Sequence, residues 1–238
     1  MPPFSCIRSA DSHTEGTEVT EPEVQIRPYR ASDRAAVRAI CCATADRGAP
    51  SEGLFPDREL LADLVTRYYT DYEPDSSWVA EDEGTIIGYI TGALDTRRAQ
   101  QILAWRIVPG AVCRSLLRGI LFRRQTWRII AGLPRNLFLM MRRAPLPLAV
   151  YPAHLHIDIL PNHRGQRVGM RLMEAFLGYA AARVSGVHAT VRADNPRACS
   201  FFNHVGFAAV GSYEIVLLVE GRNRDVRTTV YGRRLTGA

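Results

Sequence analysis

The spacing of apolar and polar positions changes period several times along the chain, and each change predicts an element. VQIRPYR, residues 24–30, alternates and predicts a strand. ASDRAAVRAICCATADRG then shows helical spacing, with Ser32 or Asp33 as cap and Gly48 as stop. A second helix starts at Asp57 in DRELLADLVTRYYTDY, and SSWVAEDEGTIIGYITGAL predicts two strands turning at Asp82-Glu83-Gly84. AHLHIDIL, 153–160, alternates strictly. Beyond it Val168, Leu172, Met173, Phe176, Leu177, Ala180 and Val184 recur on one helical face, which Gly186 ends. VHATVRA is a further strand. DNPRACSFFNHVGF predicts a helix with Asn195 as cap, Pro196 in its first position and Gly206 at its end. SYEIVLLV and VRTTVYGRRL finish as a hairpin across Glu220 to Asp225. The order predicts an α/β fold, a mixed central sheet flanked by helices around one core. Residues 1–22 are polar and aperiodic and predict a disordered leader; 23–238 form a single domain.

One stretch breaks the pattern. Thr96 to Ile157 contains no acidic residue, and Arg97 to Arg143 carries eleven arginines threaded between bulky apolar side chains. This predicts a helical, arginine-rich insertion at about 97–148, between the third and fourth strands. It admits three readings: a lid over an acceptor site, an element lying on an anionic membrane surface, or a contact for a polyanion such as nucleic acid.

Composition adds limits. The chain has 238 residues, 47% apolar and 23% charged, as in soluble globular proteins. All 30 basic residues are arginine and the net charge is +6. Five cysteines form no CxxC pair and no disulfide framework, which favours a reducing compartment. No run is apolar enough for a membrane span, so the expectation is cytoplasmic.

Chemistry concentrates after the 153–160 strand. LPNHRGQRVGMRLM, 160–173, feeds a strand through a glycine-bearing loop into a helix. The first amides of a helix lack partners and its dipole is positive there, so such a loop fits a diphosphate. Gly165 and Gly169 permit close approach, while Arg164 and Arg167 add charge. Arginine at 167 supplies an amide as glycine would, and only a positive φ there would spoil the cradle.

LPNHRGQRVGMRLM, together with VRADNPRACSFFNHVGF some 30 residues on, resembles the paired motifs of the GNAT (Gcn5-related) N-acetyltransferases, and IRPYRASDRAAVRAI adds to the likeness. The resemblance covers roughly 24–95 and 150–235. It implies acetyl-CoA as co-substrate, without a metal, and an amine acceptor whose identity the sequence leaves open. The diphosphate would sit on the amides of Gln166, Arg167, Val168, Gly169 and Met170 behind Arg164 and Gly165. The pantetheine arm would pair with Ile159 and Leu160, and Asn195 would border the thioester. Phe202 stands where the family often has a tyrosine that protonates the leaving thiolate. Tyr213, water, or unassisted departure are the alternatives. A non-catalytic acyl-CoA-binding protein on the same fold is the competing reading.

His154, His156 and Asp158 share one face of their strand, which in the family lines the active site. His156 or Asp158 is the expected base for the amine. Satisfied polar residues on a half-exposed strand, or a metal site completed by His163 or His188, are the other readings. Cys199 reads as a small filler, as do Cys41 and Cys42. A homodimer is compatible with the sequence.

Overall fold

A computed structural model describes residues 24–50, 57–142, 146–219 and 222–235. The expected leader and Arg143 lie outside the described residues. The strands are β1 (Gln25–Pro28), β2 (Ser77–Asp82), β3 (Thr85–Ala93), β4 (Ala153–Ile159), β5 (Gly186–Arg192), β6 (Ala208–Val219) and β7 (Arg222–Arg234). They form one sheet in the order β1-β2-β3-β4-β5-β7-β6. Every pairing is antiparallel except β4–β5, which is parallel. The helices are α1 (Arg34–Thr44), α2 (Arg58–Asp71), α3 (Thr96–Ile102), α4 (Val108–Leu117), α5 (Arg124–Arg142), α6 (Val168–Ala181) and α7 (Pro196–His204).

The core follows from the apolar face read in α6. Val168, Leu172, Met173, Phe176 and Ala180 are buried there against Ile87, Ile90, Leu155 and Val187 of the sheet. Gly92 is required by this contact, because a Cβ on it would lie 2.1 Å from the Phe176 ring. The helix ends at Ala181, and Gly186 instead opens β5. On the other sheet face Val37, Ile40 and Cys41 of α1 pack on Val79 and Tyr89. The expected cap of α1 takes another role. The Asp33 carboxylate turns back to accept the Arg30 N–H at 2.8 Å and both arms of the Arg27 guanidinium.

Between β3 and β4 the chain runs through α3, a π-helical turn at Leu103–Ile107, α4 and α5. This segment is built into the domain. Ile107 and Ala111 are fully buried, and Ala111 and Ile120 pack on Leu60 of α2. Buried Asp57 caps α2 through Glu59 N–H and Leu60 N–H, and accepts Ser115 Oγ–H and the Arg118 guanidinium as well. Asp63, also buried, joins Arg114 to Arg38. Burial alone would raise both carboxyl pKa values. For Asp57 the Ser115 and Arg118 bonds outweigh it, and for Asp63 the Arg114 and Arg38 bonds do, so both fall below the usual range. Carboxylates depressed in the folded state contribute stability that is present above about pH 4 and lost as pH falls further. Asp57→Ala removes a helix cap and strands Arg118, so a loss of about 2–4 kcal/mol is expected in urea unfolding, with a weaker acid dependence.

α5 lies along β6, the edge strand. Asn136 donates Nδ2–H to the Val216 carbonyl at 2.9 Å and accepts the Val216 N–H at 2.6 Å, which satisfies part of an open sheet edge. Arg135 pairs with Asp225 and Asn223 donates to the Arg128 carbonyl, so this helix docks through polar bonds.

Candidate active site

The site begins where two strands part. β4 and β5 register only at Ala153–Val187 and His154–His188, and no pairing continues beyond. The gap past that point opens two adjoining cavities. One, of about 510 Å³, lies between the α6 loop and α7, and is lined by Ile157, Ile159, Arg164, Gly165, Gly169, Met170, Asn195, Arg197 and Phe202 among others. The second, of about 320 Å³, runs under α1 and α2 and is lined by His156, Thr190, Arg192 and, shared with the first, Ile157, Asp158, Asn195 and Phe202.

Antiparallel pairing decides which peptide groups face the gap. Leu160 donates its N–H to the Ile87 carbonyl at 2.9 Å, and its own carbonyl accepts from His163 N–H. Alternation along β4 then turns the peptide groups of Ile157 and Ile159 away from β3, toward β5. The expected pair Ile159 and Leu160 is therefore corrected. Leu160 is committed to its neighbours, the Ile159 carbonyl accepts from Arg164 Nε–H at 2.9 Å, and Ile157 joins the Ile159 N–H on the gap edge.

The loop before α6 takes an unexpected conformation. Gly165 has φ +90° and Arg167 has φ +59°, both left-handed. The positive φ expected to spoil the cradle is present at Arg167, so that criterion is overturned: the left-handed turn does not remove the α6 amides. The turn into α6 keeps the glycine-type backbone, and arginine bears about 1–2 kcal/mol of strain there. Arg167 is the N-cap residue, and among the described residues no side chain caps the helix. The leading amides of α6 thus remain available, and Gly169 lets the backbone close in. A Cβ at Gly169 would lie 3.2 Å from both Ile159 and the Phe201 ring. The Val168 side chain belongs to the core, so that residue offers only its amide; Gln166 is exposed and lines neither cavity with its side chain.

Arg164 is a strut. Besides Ile159 it donates to the Gly48 carbonyl at 3.0 Å, tying the loop after α1 to the cradle. Arg47, Arg167 and Arg197 line the same cavity against one carboxylate there, Asp158, so arginines dominate its charge. Reading the loop alone misses Arg47 and Arg197. Arg197 carried a signal, since it stands beside the Asn195 cap in the first turn of α7. Asn195 caps α7 by accepting Ala198 N–H at 3.2 Å.

The β4 face separates its three polar residues. Thr96 donates its hydroxyl to the Pro152 carbonyl and so accepts from His154 Nδ1–H, leaving Nε2 to accept the Tyr69 hydroxyl at 2.7 Å. His154 is thus held neutral, its pKa driven well down by burial and by His156 and His188. His156 faces the gap, and desolvation by the surrounding protein, with His188 nearby, lowers its pKa to about 4. Asp158 is half-buried and behaves oppositely. Desolvation pushes it up to about 6, against the Tyr89 hydroxyl bond of 2.7 Å and the nearby Thr44 and Arg164. Among the described residues no group of three His, Cys, Asp or Glu is arranged to hold a metal ion.

Phe202 is buried at the back of both cavities, stacked on Tyr231 at 5.8 Å. Tyr213 is not brought to the gap. It lies on β6 opposite Thr228, two strands from β5, and lines neither cavity. Its place in the hairpin register could not be read from its nearness in sequence. Residues 96–142 line neither cavity, so they do not roof the site as a lid would. Cys199 is half-buried with its thiol directed to the Arg192 carbonyl, as a filler would be, and the buried Cys41 thiol is pushed up to about 12.

Residues 145–207 match the family model of the GNAT acetyltransferases. The protein SsHAT, of known crystal structure, is 30% identical, with 90% of this chain and 100% of that one covered and a TM-score of 0.66. This chain belongs to the GNAT acetyltransferase family. YncA from Salmonella typhimurium, solved with its cofactor acetyl-CoA, shares the fold at 14% identity and TM-score 0.54, covering 91% and 96% of the two chains. A phosphinothricin acetyltransferase from Sinorhizobium meliloti, in complex with acetyl-CoA, does so at 18% and 0.53, covering 90% of each.

Proposed function

We propose that this acetyltransferase moves the acetyl group of acetyl-CoA to a primary amine by direct attack. The observation that carries the reading is the uncapped start of α6, facing a cavity lined by Arg47, Arg164, Arg167 and Arg197. A diphosphate suits that field. The amides of Arg167 to Met170 would hold it, and the peptide groups of Ile157 with the Ile159 N–H would meet the amides of the pantetheine arm.

Acetyl-CoA supplies a thioester whose carbon forms a bond to the amine nitrogen while the C–S bond breaks and the thiolate takes up a proton. Asp158 is the base we assign. Its raised pKa leaves it ionised at neutral pH yet basic enough to relay a proton from an ammonium, directly or through water. His156 is less basic and is read as shaping the gap. Phe202 cannot donate a proton, so the thiolate is protonated by solvent, which its modest basicity permits. Phe202 favours the second reading, an acyl-CoA-binding protein without turnover. Release of CoA from acetyl-CoA over a panel of small amines separates the two. Turnover above the enzyme-free rate with at least one amine is expected; tight acetyl-CoA binding with no release over the panel selects the second reading.

A further inference from the structure

Besides the apolar residues they bury against α2, the helices between β3 and β4 carry a second set on their outward faces. α5 docks on the β6–β7 hairpin through polar contacts, Asn136 to Val216 of β6 and Arg135 and the Arg128 carbonyl to Asp225 and Asn223 of β7. Its opposite face carries Trp127, Ile130, Leu133, Leu137, Phe138 and Met141, each between 41% and 79% exposed. Their spacing of three and four residues makes one stripe along a helix of 19 residues, roughly 28 Å long. Trp105, Val112 and Leu116 repeat the pattern on the preceding helical run and are also exposed. The turn between the two runs presents Phe122 at 94%, with Leu117 at 84% at the end of α4. Trp127 Nε1–H donates to the Leu121 carbonyl and fixes that turn to the start of α5. Isolated exposed apolar residues need no explanation, but two outward stripes joined by an apolar turn do.

We infer that this segment docks on the surface of an anionic lipid bilayer, lying in the plane of the headgroups. Charge selects this occupant. No carboxylate interrupts 96–157, and the exposed arginines Arg97, Arg98, Arg106, Arg124 and Arg128 flank the stripes. Long cationic side chains beside tryptophan and leucine fit the boundary between acyl chains and anionic headgroups. A second copy of the chain meeting this face symmetrically would bring two arginine arrays together without a matching acid. A nucleic acid would offer phosphates to the arginines and leave the apolar stripes in water. The segment lies on the surface and does not span, since no helix among the described residues is long and apolar enough to cross a membrane.

The test uses the full chain with sonicated vesicles of phosphatidylcholine alone or mixed with phosphatidylglycerol. Cosedimentation only with the anionic vesicles is expected, weakening at least tenfold as salt rises. Leu117→Asp with Phe122→Asp, at two nearly fully exposed positions, should reduce the bound fraction at least tenfold and leave the melting temperature unchanged. Brominated lipid should quench tryptophan fluorescence, and Trp105→Ala with Trp127→Ala should remove that quenching. No sedimentation with anionic vesicles, or binding that both double variants retain, overturns the inference. So does a concentration-dependent dimer abolished by the aspartates, or duplex RNA binding that vesicles fail to displace.

Discussion

Gly169→Asp is expected to weaken acetyl-CoA binding more than 100-fold by calorimetry, the largest single effect we anticipate at the cradle. Two causes act together. A Cβ meets Ile159 and Phe201 at 3.2 Å, so the first turn of α6 must shift by a few tenths of an ångström. The added carboxylate then stands among the leading amides, where it competes with a diphosphate and repels it. Gly169→Ala isolates the steric part and is expected to cost roughly tenfold. Equal affinity in the aspartate variant and the parent would remove the loop from the site. Circular dichroism and melting temperature distinguish this from misfolding, since position 169 lies in the first turn of the helix.

Asp158→Asn is expected to act oppositely on rate and stability. If Asp158 accepts the proton, kcat/KM should fall about 100- to 1000-fold near pH 7 and lose its rise around pH 6, the value to which burial pushes the carboxyl. The stability sign follows from the same shift. A carboxyl raised in the folded state is stabilising while protonated, below about pH 4, and that contribution disappears as pH climbs through about 6. At pH 7 the ionised, half-buried Asp158 therefore costs stability. Asparagine can still accept the Tyr89 hydroxyl without the charge, so the variant should melt a few degrees higher at pH 7, a gain of about 1–2 kcal/mol after allowance for solvent. At pH 4 the difference should vanish. An unchanged pH profile of kcat/KM would remove Asp158 from the proton path, and the melting curves would still report its charge.

What could be read from the residues and what could not divides along the range of the interactions. Val168 to Ala180 declared their face by period alone, and Asn195-Pro196 declared a helix start, because caps and stripes are local. The commitment of Leu160 to β3 depends on which rung of the β3–β4 register it occupies, and that register is fixed by β3, some 70 residues earlier in the chain. Tyr213 looked near the site because it follows α7 closely, but β7 inserts between β5 and β6 and carries it away. The left-handed backbone of Arg167 was misread for another reason. Propensity argues against it, and the geometry of entry from Gly165 into α6 overrides propensity at one residue. The arginine-rich segment could be seen as anomalous, but its attachment rests on Asp57 and Asp63, whose partners lie more than 50 residues away.

The two-rung meeting of β4 and β5 has a mechanical consequence. The sheet is a pair of panels, β1 to β4 and β5 to β6, and the backbone ladder joins them only at Ala153–Val187 and His154–His188. Past that hinge the connection runs through side chains: Arg192 reaches Asp46 from β5 across to the loop after α1, and Arg164 ties the same loop to the end of β4. A guest whose amides bonded to both strands would act as the missing length of seam. On the proposed reading, a pantetheine arm bonded along the parted strands would fasten the two panels together, so acetyl-CoA would be expected to slow amide exchange in β4 and β5.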